Sequence, residues 1–517
     1  MDNQNISVTD SIKIILNNSN EPKTVHNTFK AICVWDPRDF SDKLFGGMPD
    51  GWYKEQYPFI DYVILMTFTG GKGWNEWVKR QTDGKLSADF TEPVRILANT
   101  VRQGVMPMIV IGNVPQALAD GRDTENDSYG WGNRCPPADY GEYYTYIRDF
   151  AAAIAANFPK TTYERFIFRV GTESDNFHWF LGTEEEYLKL YDFTVAALTD
   201  VLGDNIKVGP TNLETVSKFP NLLKHCAEGI NYYTGRTGTK CDFFSVSHYE
   251  LFPDGTDIQY TEKIRAAAER VKEFPSLGIS DINIGEGQFL SDGLTPSNRL
   301  QMAQDLSEYA ASWHAFNFAE SAAGGISYFA NWAYCCDYKL TGEYPVKTPA
   351  YYTALLLSRT AGGKLLSYKK TGNTAGALLI EKEDKFFLVC FNHAKERTGK
   401  DLIFNIEIPQ LTGNLTAEYY QIDRTHNNFS ADWLEYSKNM PRLQSDADFD
   451  RIGSVYETEV SLTLSDESLD LWREKKKEYS LMTLEKSRLS YNNSPYFTAS
   501  LNMPHHSAAV VIISRKH

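Results

Sequence analysis

Eight short apolar runs, each followed by a longer segment of helical periodicity, constrain this chain more than any other feature. The runs are FKAICVW (29–35), YVILMTF (62–68), VMPMIVIG (105–112), FIFRVG (166–171), IKVGPTN (206–212), FFSVSHY (243–249), INIGEG (282–287) and GISYFANW (325–332). Between them lie PVRILANTVRQG, YYTYIRDFAAAIAANF, EEYLKLYDFTVAALTDVLG and RLQMAQDLSEYAASWHAFN, which carry the helix period. Eight strands alternating with helices predict a closed (β/α)8 barrel. A doubly wound open sheet competes, but its first strand leads into a Gly-rich phosphate loop. Here the first strand ends in Trp35-Asp36-Pro37, and the barrel is favoured.

The texture changes after about residue 345. A helix, TPAYYTALLLSRTAGG, precedes the strand-like pieces ALLIEKEDKFFLVCFN, LIFNIEIP, TAEYYQI, EVSLTLS and SAAVVIIS. Short strands separated by turn residues predict an antiparallel β-sandwich. The polar stretch LWREKKKEYSLMTLEKSRLS within this half predicts a charged, solvated helix or loop. The expected division is an N-terminal strand in 1–25 that pairs with the sandwich, a catalytic barrel over 26–345, and a sandwich over 346–517.

Composition narrows the function. A net charge of −15 argues against a nucleic-acid partner, and no run of apolar residues is long enough to span a membrane. The start, MDNQNISVTD, lacks the basic and apolar regions of a signal peptide, which favours the cytoplasm. The seven cysteines (33, 135, 226, 241, 335, 336 and 390) are scattered without a CxxC pair and predict free, mostly buried thiols. No metal-ligand spacing, GxSxG elbow or full phosphate loop is present, so neither metal nor cofactor is implied. Aromatics at 13% are abundant, and Tyr and Trp rings stack on sugars as well as filling cores.

Two strands end on a glutamate. The fourth, Phe166-Ile167-Phe168-Arg169-Val170, runs through Gly171-Thr172 into Glu173, with Phe177, His178, Trp179 and Phe180 beside it. The seventh, Ile282-Asn283-Ile284-Gly285, delivers Glu286. One such residue alone is the pattern of a plain loop acid. Two, about three βα units apart, face each other across the C-terminal mouth of a barrel, where active sites lie. Opposed carboxylates are what a retaining glycosidase needs. By strand alternation Arg169 points into the barrel, where a buried guanidinium needs an anionic partner. A catalytic carboxylate and an acid on a neighbouring strand are both candidates.

The whole chain resembles glycoside hydrolase family 39, the β-xylosidase and α-iduronidase family of barrels with catalytic acids on strands four and seven. ERFIFRVGTESDNFHWFLGTEEEYLKLYD is similar to its strand-four block, PPADYGEYYTYIRDFAAAIAANF to its third helix and KVGPTN to its fifth strand. CDFFSVSHY resembles its sixth strand, and VKTPAYYTALLLSRTAGGKLL its exit from the barrel. The resemblance implies Glu173 as acid/base, Glu286 as nucleophile and Tyr249 as hydrogen-bond donor to the nucleophile. It further implies that Trp332 floors the sugar site. His248 lies beside the family's His, and Trp179 joins the substrate-binding set.

The chain departs from the family pattern at two places. Thr172 stands where the family has an Asn that donates to the sugar 2-hydroxyl, and MTFTGG on strand two lacks the family's His-Gly. Asn113 and Asn212, after strands three and five, are the candidate replacement donors. The resulting expectation is a retaining exo-glycosidase of short β-linked glycosides, β-xylosides first, its sandwich shaping the site or an oligomer interface. Its rivals are the same chemistry on an arabinoside, galactoside or uronide, and a non-catalytic carbohydrate-binding protein on a decayed barrel.

Overall fold

The computed structural model describes residues 10–18, 21–34, 37–39, 41, 48–123, 132–252, 260–291, 307–332, 346–372, 374–394, 399–436, 439 and 466–516. Each of the eight apolar runs contributes one strand of a parallel sheet. The strands are β1 (Ala31–Val34), β2 (Tyr62–Leu65), β3 (Met106–Ile111), β4 (Ile167–Val170), β5 (Lys207–Pro210), β6 (Phe243–Phe252), β7 (Asp281–Ser291) and β8 (Tyr328–Trp332). Their order is β6-β7-β8-β1-β2-β3-β4-β5. The ring closes between β5 and β6, where Leu213 bridges Val246 just past the end of β5.

Alternation divides the side chains of these strands between two cores. Cys33, Met66, Met108, Val110, Phe243 and Tyr328 fill the barrel interior. Val34, Leu65, Phe168, Val170, Val246 and Ile284 face the surrounding helices. The outer helices are α1 (Thr91–Arg102), α2 (Tyr140–Asn157), α3 (Glu184–Leu202), α4 (Leu222–Glu228), α5 (Tyr260–Lys272) and α6 (Glu308–Gly324). The start of α3 is set by a capping box, in which Thr183 and Glu186 satisfy each other's backbone amides. At α2, Asp139 accepts from the amides of Gly141 and Glu142.

After α7 (Pro349–Ser358) the chain builds strands β9 (Lys364–Thr371), β10 (Ala375–Lys382), β11 (Lys385–Asn392), β12 (Leu402–Ile408), β13 (Leu415–Ile422), β14 (Phe497–Met503) and β15 (Ser507–Arg515). One sheet runs β13-β15-β11-β10-β9 and ends on the short strand Lys23–Thr24. The other places β12 between the N-terminal strand Asp10–Ile15, which runs parallel to it, and β14. Leu379, Leu388, Phe404, Leu501 and Val511 pack between the two sheets. The pieces ALLIEKEDKFFLVCFN, LIFNIEIP, TAEYYQI and SAAVVIIS are sandwich strands, and the charged stretch holds the helix Asp466–Ser480. EVSLTLS lies outside the described residues. Strands β9 and β14 are additions to the expected set. Their polar alternation, as in KLLSYKKT, carries a weaker apolar signal.

Helix α6 joins the two layers and has almost no solvent-facing side, since nearly every residue from Ala310 to Ala322 is buried. Its one buried acid, Glu320, is met by Lys370 at 3.1 Å and by the hydroxyls of Thr261 and Tyr368. A buried carboxylate is tolerated when its charge and lone pairs are satisfied in this way. The described cysteines, Cys33, Cys135, Cys226, Cys241 and Cys390, are all free and buried. Among the described residues no helix is long and apolar enough to cross a membrane.

The cap of α2 supports the helix that backs β3 and β4. Asp139→Ala removes the acceptor for two amides and is expected to cost about 1 kcal/mol, measured by urea denaturation. No change in midpoint would show that water caps this helix equally well.

Candidate active site

The two glutamates meet at the C-terminal mouth of the barrel, and a different backbone device brings each there. On β7 the side chains of Ile282 and Ile284 face the helices and Asn283 faces the interior. Strict alternation would therefore send Glu286 outward with Ile284. Instead the register with β6 slips: Val246 pairs with Ile284, but Ser247 pairs with Glu286. The extra residue, Gly285, forms a β-bulge that turns Glu286 inward, beside Ser247. A Cβ on Gly285 would lie 2.9 Å from Arg169 Nη1 and 3.0 Å from Asn212 Cβ. Glycine is required there by the close approach of the guanidinium.

Glu173 is placed by a turn after β4. Gly171 (φ +86°) and Glu173 itself (φ +39°) take left-handed backbone conformations. A non-glycine residue there is strained and persists only when its surroundings enforce it. Those surroundings are specific. The Glu173 amide donates to Asn212 O at 3.1 Å, and the Ser174 amide to Thr211 Oγ1 at 3.1 Å. Tyr187 of α3 bonds both the Val170 carbonyl and the Thr211 amide, each at 2.7 Å.

Both carboxyl groups are buried, Glu173 at 7% and Glu286 at 1% exposure. They are close enough for the charge of Glu286 to act on Glu173. Burial first, and then the charge of Glu286, hold the Glu173 carboxyl well above its ordinary range. The countercharge to Glu286 is Arg169, wholly buried, with Nη2 3.6 Å from Glu286 Oε2. Nη1 donates to the Gly285 carbonyl at 2.9 Å and Nη2 to Thr172 Oγ1 at 3.0 Å. Of the two partners considered for Arg169, the glutamate on strand seven is the one it meets.

Neutral polar groups surround this pair. Asn212 Nδ2 donates to Ser247 Oγ at 2.6 Å, and Ser247 Oγ donates in turn to Glu286 Oε1 at 3.4 Å. Lys263 of α5 supports the same strand end, its Nζ donating to the Ser247 carbonyl at 2.6 Å. Burial lowers the pKa of Lys263, although Glu173 and Glu214 oppose that shift.

The remaining candidates divide. Thr172, Asn113 and Trp179 line one cavity with Thr67, Asn133 and Ser174. Within it, Asn113 Nδ2 donates to the Asn133 carbonyl at 2.7 Å. Tyr249 pairs with Gln288, two residues beyond Glu286, and packs against the barrel-interior layer. The hydroxyl found on Glu286 Oε1 is that of Ser247. His248 does not join the site. It alternates to the outer face of β6, its ring 4.7 Å from Tyr260 and 6.5 Å from Trp313. Trp332 closes β8 with its backbone paired to Cys33, and its side chain lies outside the described residues.

A family description, glycosyl hydrolases family 39, matches residues 73–278, which include strand four and Glu173. That stretch is about two fifths of the chain, and over it the chain is similar to the family. Within curated sequences it is 29% identical over 198 residues to a β-xylosidase of Caldicellulosiruptor saccharolyticus, covering 37% of each chain. It is 27% identical over 267 residues to one of Geobacillus stearothermophilus, covering 46% of this chain and 51% of that one. The matches thus span between about a third and a half of those relatives. A monomeric β-xylosidase from Caulobacter crescentus has the same fold, with a TM-score of 0.67 at 14% identity over 98% of this chain and 100% of that one.

In this barrel the sequence reading missed Ser247, Lys263 and Gly285. Ser247 has a legible signal, because it shares the inward phase of Ser245 along β6. Lys263 comes from a helix whose approach to the strand ends is a tertiary fact. Gly285 was visible as a glycine beside the glutamate, but its bulge was not.

Two measurements test this geometry. Gly285→Ala should lower stability by roughly 1–3 kcal/mol through overpacking against Arg169, read by thermal unfolding. A neutral substitution would mean that the bulge has room to spare. The second uses pH. Native Glu173 keeps its proton above the pH at which the unfolded chain releases it, so this group costs stability as pH rises from its ordinary value near 4.5. Glu173→Gln removes that cost. Its stability relative to the parent should climb with pH over that interval, and a flat difference in denaturation midpoints would contradict the raised value.

Proposed function

We propose that this chain is a retaining exo-glycosidase of short β-linked glycosides, with β-xylosides as its first substrate class. The observation that carries the reading is the pairing of two buried carboxyl groups at the barrel mouth, the charge of one helping to hold the other well above its ordinary range. An inverting pair stands about 6.5–9.5 Å apart to admit a water, whereas a retaining pair is closer. The sugar class rests on the β-xylosidases that the chain resembles.

In this mechanism Glu286, countercharged by Arg169, attacks the anomeric carbon. Glu173 donates its proton to the glycosidic oxygen, the bond to the leaving group breaks, and a glycosyl ester forms on Glu286. Glu173, now ionised, takes a proton from water as the water oxygen attacks the same carbon. The sugar is released with its configuration retained and both carboxyl groups return to their starting states. The neutral donors Ser247 and Asn212 hold the nucleophile without adding charge. The sandwich packs on the barrel through α6.

The roles separate by substrate. Glu286→Ala should remove turnover of every glycoside, because no ester can form. Glu173→Ala should lose roughly 10²–10⁴-fold on glycosides with poor leaving groups while sparing dinitrophenyl glycosides, which need little acid. Azide should raise the rate of Glu173→Ala and yield the β-glycosyl azide. Equal losses on activated and unactivated substrates would reverse or remove the assignment.

A further inference from the structure

Arg169 does more than offset Glu286. An arginine side chain only donates hydrogen bonds, and Arg169 Nη2 places one on Thr172 Oγ1 at 3.0 Å. The Thr172 oxygen is therefore an acceptor toward Arg169, and its own proton must point elsewhere. Thr172 is 5% exposed and lines the cavity shared with Asn113 and Trp179.

The same Nη2 lies 3.6 Å from Glu286 Oε2, so the hydroxyl and the attacking carboxylate are referenced to one rigid planar group. The carbon bearing the 2-substituent is bonded to the carbon that Glu286 attacks. A donor fixed beside the nucleophile is consequently on the correct side to reach the 2-oxygen. The Nε of Arg169 is buried without a hydrogen-bond partner. The guanidinium is thus held by its two terminal nitrogens, Nη1 on the Gly285 carbonyl and Nη2 on Thr172 Oγ1 and Met66 Sδ, with Glu286 beside Nη2.

We propose that Arg169 is a positioning residue that orients the Thr172 hydroxyl as a donor to the sugar 2-hydroxyl and ties that contact to Glu286. The proposal rests on the glycosidase reading above. In it, a threonine hydroxyl directed by a buried arginine does the work for which the resembling family uses an asparagine amide. A purely structural Arg169 would act differently: it would brace β4 against β7 through Gly285, and its loss would slow all substrates alike.

The test compares kcat/KM on the best aryl glycoside of a panel with its 2-deoxy analogue. The parent should favour the 2-hydroxy substrate by on the order of 10²-fold or more. Thr172→Val and Arg169→Met should each reduce that preference at least tenfold, and the double variant should reduce it no further. Arg169→Lys, which keeps the charge but not the planar fork, should fall between. An unchanged preference in Arg169→Met, with both substrates slowed equally, would overturn the proposal, as would multiplying losses in the double variant. Should Arg169→Met fail to fold, Arg169→Lys decides: an unchanged preference overturns the proposal and a reduced one supports it. Trapping the parent with a 2-deoxy-2-fluoro glycoside, followed by peptide mapping, separates the two levels. A label on Glu286 with an unchanged preference sinks this inference alone, whereas no label and no turnover of any glycoside sinks the glycosidase reading itself.

Discussion

A buried guanidinium facing a buried carboxylate is the constraint around which the centre of this molecule is arranged. Removing either charge from water alone costs several kcal/mol even after relaxation. Arg169 and Glu286, at 0% and 1% side-chain exposure, offset each other. Burial and the Glu286 charge disfavour a second carboxylate in the same space, and the Glu173 carboxyl is accordingly held well above its ordinary range. The acid and the nucleophile differ because the Arg169 guanidinium lies against Glu286. Neutral donors from Ser247 and Asn212 complete the surroundings without disturbing that balance.

The backbone pays for this arrangement at two points. The bulge at Gly285 breaks the alternation of β7 so that an outward position becomes an inward one. The left-handed turn at Glu173 lifts its side chain off β4 and over the mouth. Each is held by neighbours rather than by its own preference. Arg169 grips the Gly285 carbonyl, and Tyr187, Thr211 and Asn212 fasten the turn. The site is therefore a property of β4, β5, β6 and β7 together.

The barrel and sandwich share the same logic of buried charge. Helix α6 lies between them with apolar residues on nearly all sides, and its Glu320 is matched by Lys370, Thr261 and Tyr368. The N-terminal segment supplies a strand to each sandwich sheet, Asp10–Ile15 and Lys23–Thr24, before it enters β1. The ends of the sequence are thus stitched together around the barrel that separates them.

The eight barrel strands were legible in sequence because a strand covered on both faces must be apolar throughout, and no other element has that texture at that length. The two glutamates were legible because each terminates such a run, and strand ends are where a barrel exposes side chains. The strands β9 and β14 were less so, since one face of a sandwich sheet is wet and the apolar signal is halved. His248 shows where the reading failed: its neighbours in sequence suggested the mouth, but alternation along β6 turns it into the helix layer. Ser247 takes the inward place, and Lys263 arrives from a helix that no local pattern ties to the strand ends. By itself the sequence determined which eight apolar runs become barrel strands and that two acids close two of those runs. Only the tertiary structure decided that Glu286 turns inward, that Arg169 meets it and that Thr172 is held by the same guanidinium. Local periodicity encodes which elements form, whereas a one-residue bulge and a buried ion pair exist only once four strands have closed around them.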